Sequence, residues 1–171
     1  MRMSPIATAL ACVVGLASQV AQAQRHDEQE QAELAKALSE SKIPLEKAVQ
    51  VGEKEGKAIS AKFEIASGKL ALLVYTVKGD KFSEVRVDHQ TGKLDKARNI
   101  EAAADLAEAR TQSEAMAKAK RSLRSAIEKA VSTNKGFRAV SAIPGIQKRH
   151  PVAEVTLLRG SQLKTVSERL D

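Results

Sequence analysis

The stretch IPLEKAVQVGEKEGKAISAKFEIASGKLALLVYTVKGDKFSEVRVDHQTGKL, from Ile43 to Leu94, decides the fold. Its first part places small and apolar residues at the spacing of one helical face: Leu45, Ala48, Val49 and Gly52. Gly56 is expected to end this helix, because glycine readily adopts the left-handed conformation found at many helix ends. From Ile59 onward the apolar residues instead alternate with polar ones, which is typical of strands with one buried face.

Three strands are predicted in this stretch, over residues 59–66, 70–77 and 82–87. The dipeptides Ser67-Gly68 and Gly79-Asp80 separate them and favour tight turns. A helix that covers one face of a three-stranded antiparallel sheet satisfies the layer rule for a small domain. The sequence therefore predicts an α+β fold.

The same pattern begins again near Leu123, with a second apolar helical face and then alternating residues. Ala58-Ile59-Ser60-Ala61 is similar to Ala139-Val140-Ser141-Ala142, which defines an offset between the two copies. Residues in later turns and strands match at this same offset, whereas the helices match at a slightly shorter one. Such repetition predicts two tandem units, each a helix packed on a small antiparallel sheet.

Residues 43–95 resemble the PepSY domain, which occurs in propeptides of secreted metallopeptidases and in small exported bacterial proteins. The carriers are Ile43-Pro44-Leu45-Glu46-Lys47-Ala48, Val74-Tyr75-Thr76-Val77 and, most specifically, the ending Val87-Asp88-His89-Gln90-Thr91-Gly92-Lys93-Leu94. Residues 121–171 resemble a divergent second copy that lacks the Thr-Gly turn. The resemblance implies an α+β fold that binds or restrains peptidases and contributes no catalytic residue.

The N-terminus reads as a secretory signal peptide over residues 1–23, with a basic residue, a short apolar run and the cleavage pattern Ala21-Gln22-Ala23. An uncleaved anchor and lipid attachment at Cys12 are the alternatives. We expect a lead-in helix over 24–42, a first PepSY-like domain over 43–97, a helical linker over 98–120 and a second, divergent PepSY-like domain over 121–171. Export places the protein in the periplasm or outside the cell, with no stable membrane span after cleavage.

Charge and cysteine content narrow the possible partners. The 171-residue chain carries a net charge of +7 and a single cysteine, Cys12, so the exported form would have no disulfide. Residues 24–98 contain 14 basic and 13 acidic side chains, and residues 99–171 contain 13 and 8. The basic second half favours an acidic partner or the anionic envelope, or is simply a solvated surface.

The sequence contains no recognisable catalytic or cofactor motif. The three histidines, His26, His89 and His150, lie far apart in the chain, whereas a zinc peptidase needs two of them one helical turn apart. No serine lies in a nucleophile elbow, and no glycine-rich phosphate loop is present. Nucleic-acid binding is disfavoured because few aromatic residues are available for stacking. We therefore predict a protein that is not an enzyme, without catalytic residues, cofactor, metal site or nucleic-acid partner.

The main functional expectation is a non-catalytic protein-binding module that inhibits or modulates a peptidase, or binds another protein of the cell envelope. Binding would use an exposed sheet edge or the sheet face that the helix leaves uncovered. The alternative is a periplasmic sensor or accessory protein that binds a small ligand or metal, first at Asp88 and His89, and signals to a membrane partner. The expected partner-binding surface comprises Lys62, Glu64, Glu84, Arg86, Asp88 and His89.

Overall fold

The computed structural model describes residue 29 and residues 31–171 of the chain. The expected signal peptide, Cys12 and the first part of the lead-in helix lie outside these residues. Within the described part, no helix is both long and apolar enough to cross a membrane. The elements in chain order are α1 (31–40), α2 (Leu45–Gly52), β1 (Lys57–Ala66), β2 (Lys69–Lys78), β3 (Lys81–Val87), β4 (Leu94–Asn99), α3 (Ala103–Ala117), α4 (Leu123–Thr133), β5 (Arg138–Gln147), β6 (His150–Arg159) and β7 (Gln162–Arg169).

The seven strands form one antiparallel sheet in the order β4-β3-β2-β1-β5-β6-β7. The predicted α+β class is confirmed. The two expected sets of strands belong to this single sheet, which β1 and β5 join through the pairs Ala61–Ala142 and Lys62–Ser141. The sequence left open how the two sets are arranged, and the structure places them edge to edge.

The main core lies between the sheet and the helices α2 and α4, which also contact each other. Leu45 of α2 and Ile127 of α4 are completely buried. Gly52 allows α2 to approach β2 closely, because a β-carbon there would lie 2.6 Å from Cγ1 of Val74. The sheet contributes small and branched residues to this core: Ala61, Phe63, Leu72, Val74, Val85, Val87, Ala142, Val155 and Leu157.

The region expected to be a helical linker over residues 98–120 differs from the prediction. Its helix, α3, runs only from Ala103 to Ala117, and the preceding residues Leu94–Asn99 form the edge strand β4. Every residue of β4 is exposed, so the strand has no buried alternation for a sequence pattern to detect. The residues expected to begin the linker therefore belong to a strand that pairs with β3.

Two basic side chains donate hydrogen bonds to the ends of helices across the junction of β1 and β5. Arg138 of β5 donates a 2.7 Å hydrogen bond to the carbonyl of Leu38 in α1. Lys57 of β1 donates a 2.7 Å hydrogen bond to the carbonyl of Met116 in α3. Arg138, in the second half of the sheet, thus binds α1, which precedes the core helix α2 of the first half. Lys57, in the first half, binds α3, which precedes the core helix α4 of the second half. These two contacts join the halves into one structure.

Candidate functional site

Four of the six residues expected to bind a partner lie together on one face of the sheet. Lys62 of β1 pairs with Leu73 of β2, and Leu73 pairs with Arg86 of β3. Glu64 and Glu84 occupy the same face, each one alternation along its strand from Lys62 or Arg86. Side chains alternate along a strand, so this face is opposite to the one that α2 covers. We call Lys62, Glu64, Glu84 and Arg86, with the neighbouring Tyr75, the charged face.

Lys62 is held in place by two neighbours on the charged face. Its Nζ lies 2.6 Å from Oε2 of Glu64 and 5.8 Å from the centre of the Tyr75 ring. Burial alone would lower the pKa of Lys62, but the hydrogen bond that it donates to Glu64 and the charge interactions with Tyr75 and Glu64 raise the pKa above its ordinary value. Burial raises the pKa of Tyr75. Lys62 is therefore a fixed positive charge at neutral pH.

The strand β4 enlarges the charged face beyond the prediction. Arg98 pairs with Glu84 in the β3–β4 register and its guanidinium lies 2.9 Å from the Glu84 carboxylate. This contact raises the pKa of Arg98. Lys96 pairs with Arg86 and places a second basic side chain beside it. On the outer strands β3 and β4 the charged face thus carries one acidic side chain, Glu84, and three basic ones, Arg86, Lys96 and Arg98.

Asp88 and His89, the other two predicted residues, lie in the turn that follows β3 and not on the charged face. The Asp88 carboxylate accepts hydrogen bonds from the backbone N–H groups of Gln90 (2.9 Å) and Thr91 (2.7 Å). Those two bonds, first from Thr91 and then from Gln90, lower the pKa of Asp88. The Asp88 side chain therefore stabilises the turn.

The backbone carbonyl of His89 forms a clamp on the entry to α2. It accepts hydrogen bonds from the N–H groups of Lys42 (3.0 Å) and Ile43 (3.2 Å). The carbonyl of Leu170 binds the entry to α4 in the same way, through the N–H groups of residues 120 and 121 at 2.7 and 2.9 Å. Because both clamps use backbone atoms, neither depends on the side chain at that position.

A cavity of about 140 Å³ lies where α3 meets the charged face. Its floor contains a buried hydrogen bond of 2.6 Å between Oγ of Ser60 and Oε1 of Gln112, and Gln112 in turn donates to Glu108 at 2.9 Å. We call it the seam cavity. The sequence analysis did not identify it, because its walls come from segments that are far apart in the chain. It is lined by Ser60, Ala61, Lys62, Tyr75, Asp105, Glu108, Gln112 and Ile143.

The histidines of the described region do not form a metal site. His150 lies 2.6 Å from the Asp171 carboxylate, which also accepts two bonds from the Arg169 guanidinium. Among the described residues no group of three His, Cys, Asp or Glu side chains is placed to hold a metal ion. His26 lies outside them.

No family model matches the chain, and no curated protein matches it. Among solved structures it is similar to a protein from Clostridium difficile 630 described as a "putative lipoprotein". The two share 11% sequence identity over 77% of this chain and 88% of that one, with a TM-score of 0.44.

Proposed function

We propose that this protein is an exported, non-catalytic protein-binding module built from two tandem PepSY-like units, and that its charged face binds a peptidase or another protein of the cell envelope. The exported form begins after a signal peptide over residues 1–23 and acts in the periplasm or outside the cell.

The repeat is supported by the equivalent positions of the strands and of their irregularities. One constant offset separates the first residues of β1, β2 and β3 from those of β5, β6 and β7, respectively. The register of β1 shifts at Ile59 and that of β5 at Val140, which differ by the same offset. The clamps at His89 and Leu170 are separated by it as well. A repeated bulge is an informative match, because bulges are specific features of a strand.

The single observation that carries the binding proposal is the mixed charge of a half-buried sheet face opposite to the one that α2 covers. Lys62 and Glu84 are fixed by ion pairs with Glu64 and Arg98, and Arg86 pairs with Lys96 of β4. Interfaces use such arranged charges to select their partner and to fix its orientation. A partner whose charges are complementary to those of the charged face would bind, and a partner with like charges at the same positions would be repelled.

A photo-crosslinking experiment tests this proposal. A benzophenone amino acid at position 86 is compared with the same residue at Lys54, which is exposed just after α2, on the other side of the sheet from the charged face. Exposure to light in an envelope extract should attach position 86 to a defined protein, and the charge reversal Glu84→Lys should reduce that product. The purified partner, if a peptidase, should then lose activity when the protein is added. Equal labelling from both positions, or no product from position 86, would contradict the proposal.

The seam cavity favours a second candidate, a sensor that binds a small ligand. Its walls offer carboxylates, a hydroxyl, an amide and a lysine, all within the described residues. Small-molecule sites are concave and contain a few such convergent polar groups. A ligand that binds only the folded protein must raise its melting temperature. Titration with divalent metal ions and with small diamines, followed by thermal unfolding, should raise it in the wild type but not in Asp105→Asn; no rise with either class would remove this candidate.

A further inference from the structure

The two outer strands of the sheet differ in how well they are protected. Within the described residues, β4 and β7 each pair with a strand on one side only. β7 corresponds to β3, but β3 is covered by β4 and β7 is not. As a result Val85 of β3 is fully buried, whereas Val166, its equivalent in β7, is partly exposed. An uncovered edge strand presents unpaired backbone groups to other chains.

We propose that the β7 edge pairs with β7 of a second copy of this chain, which makes a symmetric dimer with one continuous sheet. The proposal does not rest on the function proposed above. It rests on the order of the side chains in Lys164-Thr165-Val166-Ser167-Glu168, which is complementary to itself when read in the opposite direction.

Symmetry restricts the possible registers. Neighbouring antiparallel strands of two identical chains are related by a two-fold axis perpendicular to the sheet. This axis keeps every side chain on its own face, so a symmetric register must be centred on one residue that pairs with its own copy. Centring on Val166 pairs two valines at the axis. It then places Thr165 opposite Ser167 of the second copy and Lys164 opposite Glu168 of the second copy, twice.

The alternative registers of β7 lose this match. Centring on Lys164 or Glu168 places two like charges together at the axis, which is unfavourable for directly opposed side chains. Centring on Thr165 or Ser167 separates the lysine from the glutamate. Among these five centres, Val166 is thus the one at which Lys164 and Glu168 each lie opposite a residue of the opposite charge.

The central registers of β4 do not give this match. Centring on Asp95 or Lys96 pairs identical charges at the axis, and centring on Ala97 places Lys96 opposite Arg98 of the second copy. The charges of β4 therefore protect its edge from a second copy, in the way that edge strands are commonly protected. The difference between the two edges assigns the contact to β7.

The Glu168 side chain is already held in position within a single chain. It is 9% exposed, and its carboxylate lies 2.7 Å from Nζ of Lys129 in α4. Lys164 of the second copy would add a second positive charge on the open side of this carboxylate. Lys164 is exposed and in the single chain donates to Oδ1 of Asn134 at 2.6 Å, a contact that it can exchange for Glu168 of the second copy.

The dimer is tested by measuring molar mass over a range of protein concentrations. Protein purified after export should show the mass of two chains by analytical ultracentrifugation at high concentration and dissociate on dilution. Lys164→Glu places two pairs of like charges in the interface and should raise the dimer Kd about tenfold or more. The charge exchange Lys164→Glu with Glu168→Lys, made together with Lys129→Glu so that position 168 keeps an ion pair with α4, should restore the wild-type Kd. Lys96→Glu in β4 is the matched control that should leave the Kd unchanged.

A cysteine at the axis tests the register. Paired residues of antiparallel strands have Cα atoms about 4.5–5.5 Å apart, within the range of a disulfide. Val166→Cys should give a disulfide-linked dimer under mild oxidation, whereas Ser161→Cys, in the turn before β7, should not. The wild type controls for Cys12. A protein that stays monomeric at every concentration would overturn the proposal, and this outcome includes the case in which β7 pairs with a strand of another protein. A dimer that Lys96→Glu weakens as much as Lys164→Glu would overturn it as well.

Discussion

Replacement of Arg138 tests whether the contact across the β1–β5 junction stabilises the whole protein. The Arg138 guanidinium donates to the Leu38 carbonyl at 2.7 Å and lies 5.6 Å from the centre of the Phe63 ring. Burial lowers its pKa, which shows that part of this gain is offset by lost hydration. Arg138→Met keeps much of the hydrophobic stem and removes the charge and the donor.

The size of the effect follows from these contacts. A hydrogen bond from a charged donor contributes about 1.5–3 kcal/mol, and a partly exposed cation–π contact about 0.5–1 kcal/mol. The cost of desolvating the guanidinium reduces the sum. We therefore expect Arg138→Met to lower the free energy of unfolding by about 2 kcal/mol. Arg138→Lys should lose about half as much, because it keeps the charge but not the planar group.

Urea unfolding followed by far-ultraviolet circular dichroism measures these differences, with an unchanged slope as evidence that the mode of unfolding is the same. Lys54→Met is the matched control, since Lys54 is exposed at the end of α2. It should change the stability by less than about 0.5 kcal/mol. If Arg138→Met were no more destabilising than Lys54→Met, the contact with α1 would not hold the two halves together.

Three further predictions concern a turn, a carboxylate and a buried hydrogen bond. Arg149 has φ of 71° where the equivalent hairpin has Gly68, so Arg149→Gly should raise the free energy of unfolding by about 1 kcal/mol and Gly68→Ala should lower it, both measured by urea unfolding. The lowered pKa of Asp88 means that its stabilisation is complete above its unfolded pKa of about 3.9 and is lost as the pH falls through the folded value. Asp88→Ala should therefore be less stable than wild type in thermal unfolding at about pH 7, and the difference should shrink below about pH 4; a constant difference would refute this. Ser60→Ala leaves Oε1 of the buried Gln112 without its donor and should cost about 1–3 kcal/mol, whereas the double change with Gln112→Leu should cost less than the sum of the single changes in a double-mutant cycle.

The sequence was sufficient to predict those helices and strands whose spacing of apolar residues reflects the burial of one side. The alternation in β1 and the helical spacing from Leu45 exist because one side of each element faces the core. The same alternation placed Lys62, Glu64, Glu84 and Arg86 on a common face. β4 was missed because none of its residues is buried, so no burial pattern was available to read.

The arrangement of the two halves has no comparable signal in the sequence. β1 and β5 meet through Ala61 and Ala142, and small residues of this kind occur in many strands without marking a partner. The seam cavity depends on that meeting, because Gln112 reaches Ser60 only after α3 has been positioned against both strands. Contacts between segments far apart in the chain require the folded structure.

Two physical roles are filled by the segment Val87 to Leu94, which is the most specific part of the PepSY resemblance. The backbone carbonyl of His89 clamps the entry to α2, and the carbonyl of Leu170 does the same for α4, so a residue of any type can fill this role. The Asp88 carboxylate and Gly92, with φ of 70°, instead turn the chain so that β4 can pair with β3. The second half has the equivalent clamp at Leu170. Within the described residues this turn gives β3 a covering strand that the equivalent strand β7 does not have, and the proposed dimer rests on that difference between the two edges of the sheet.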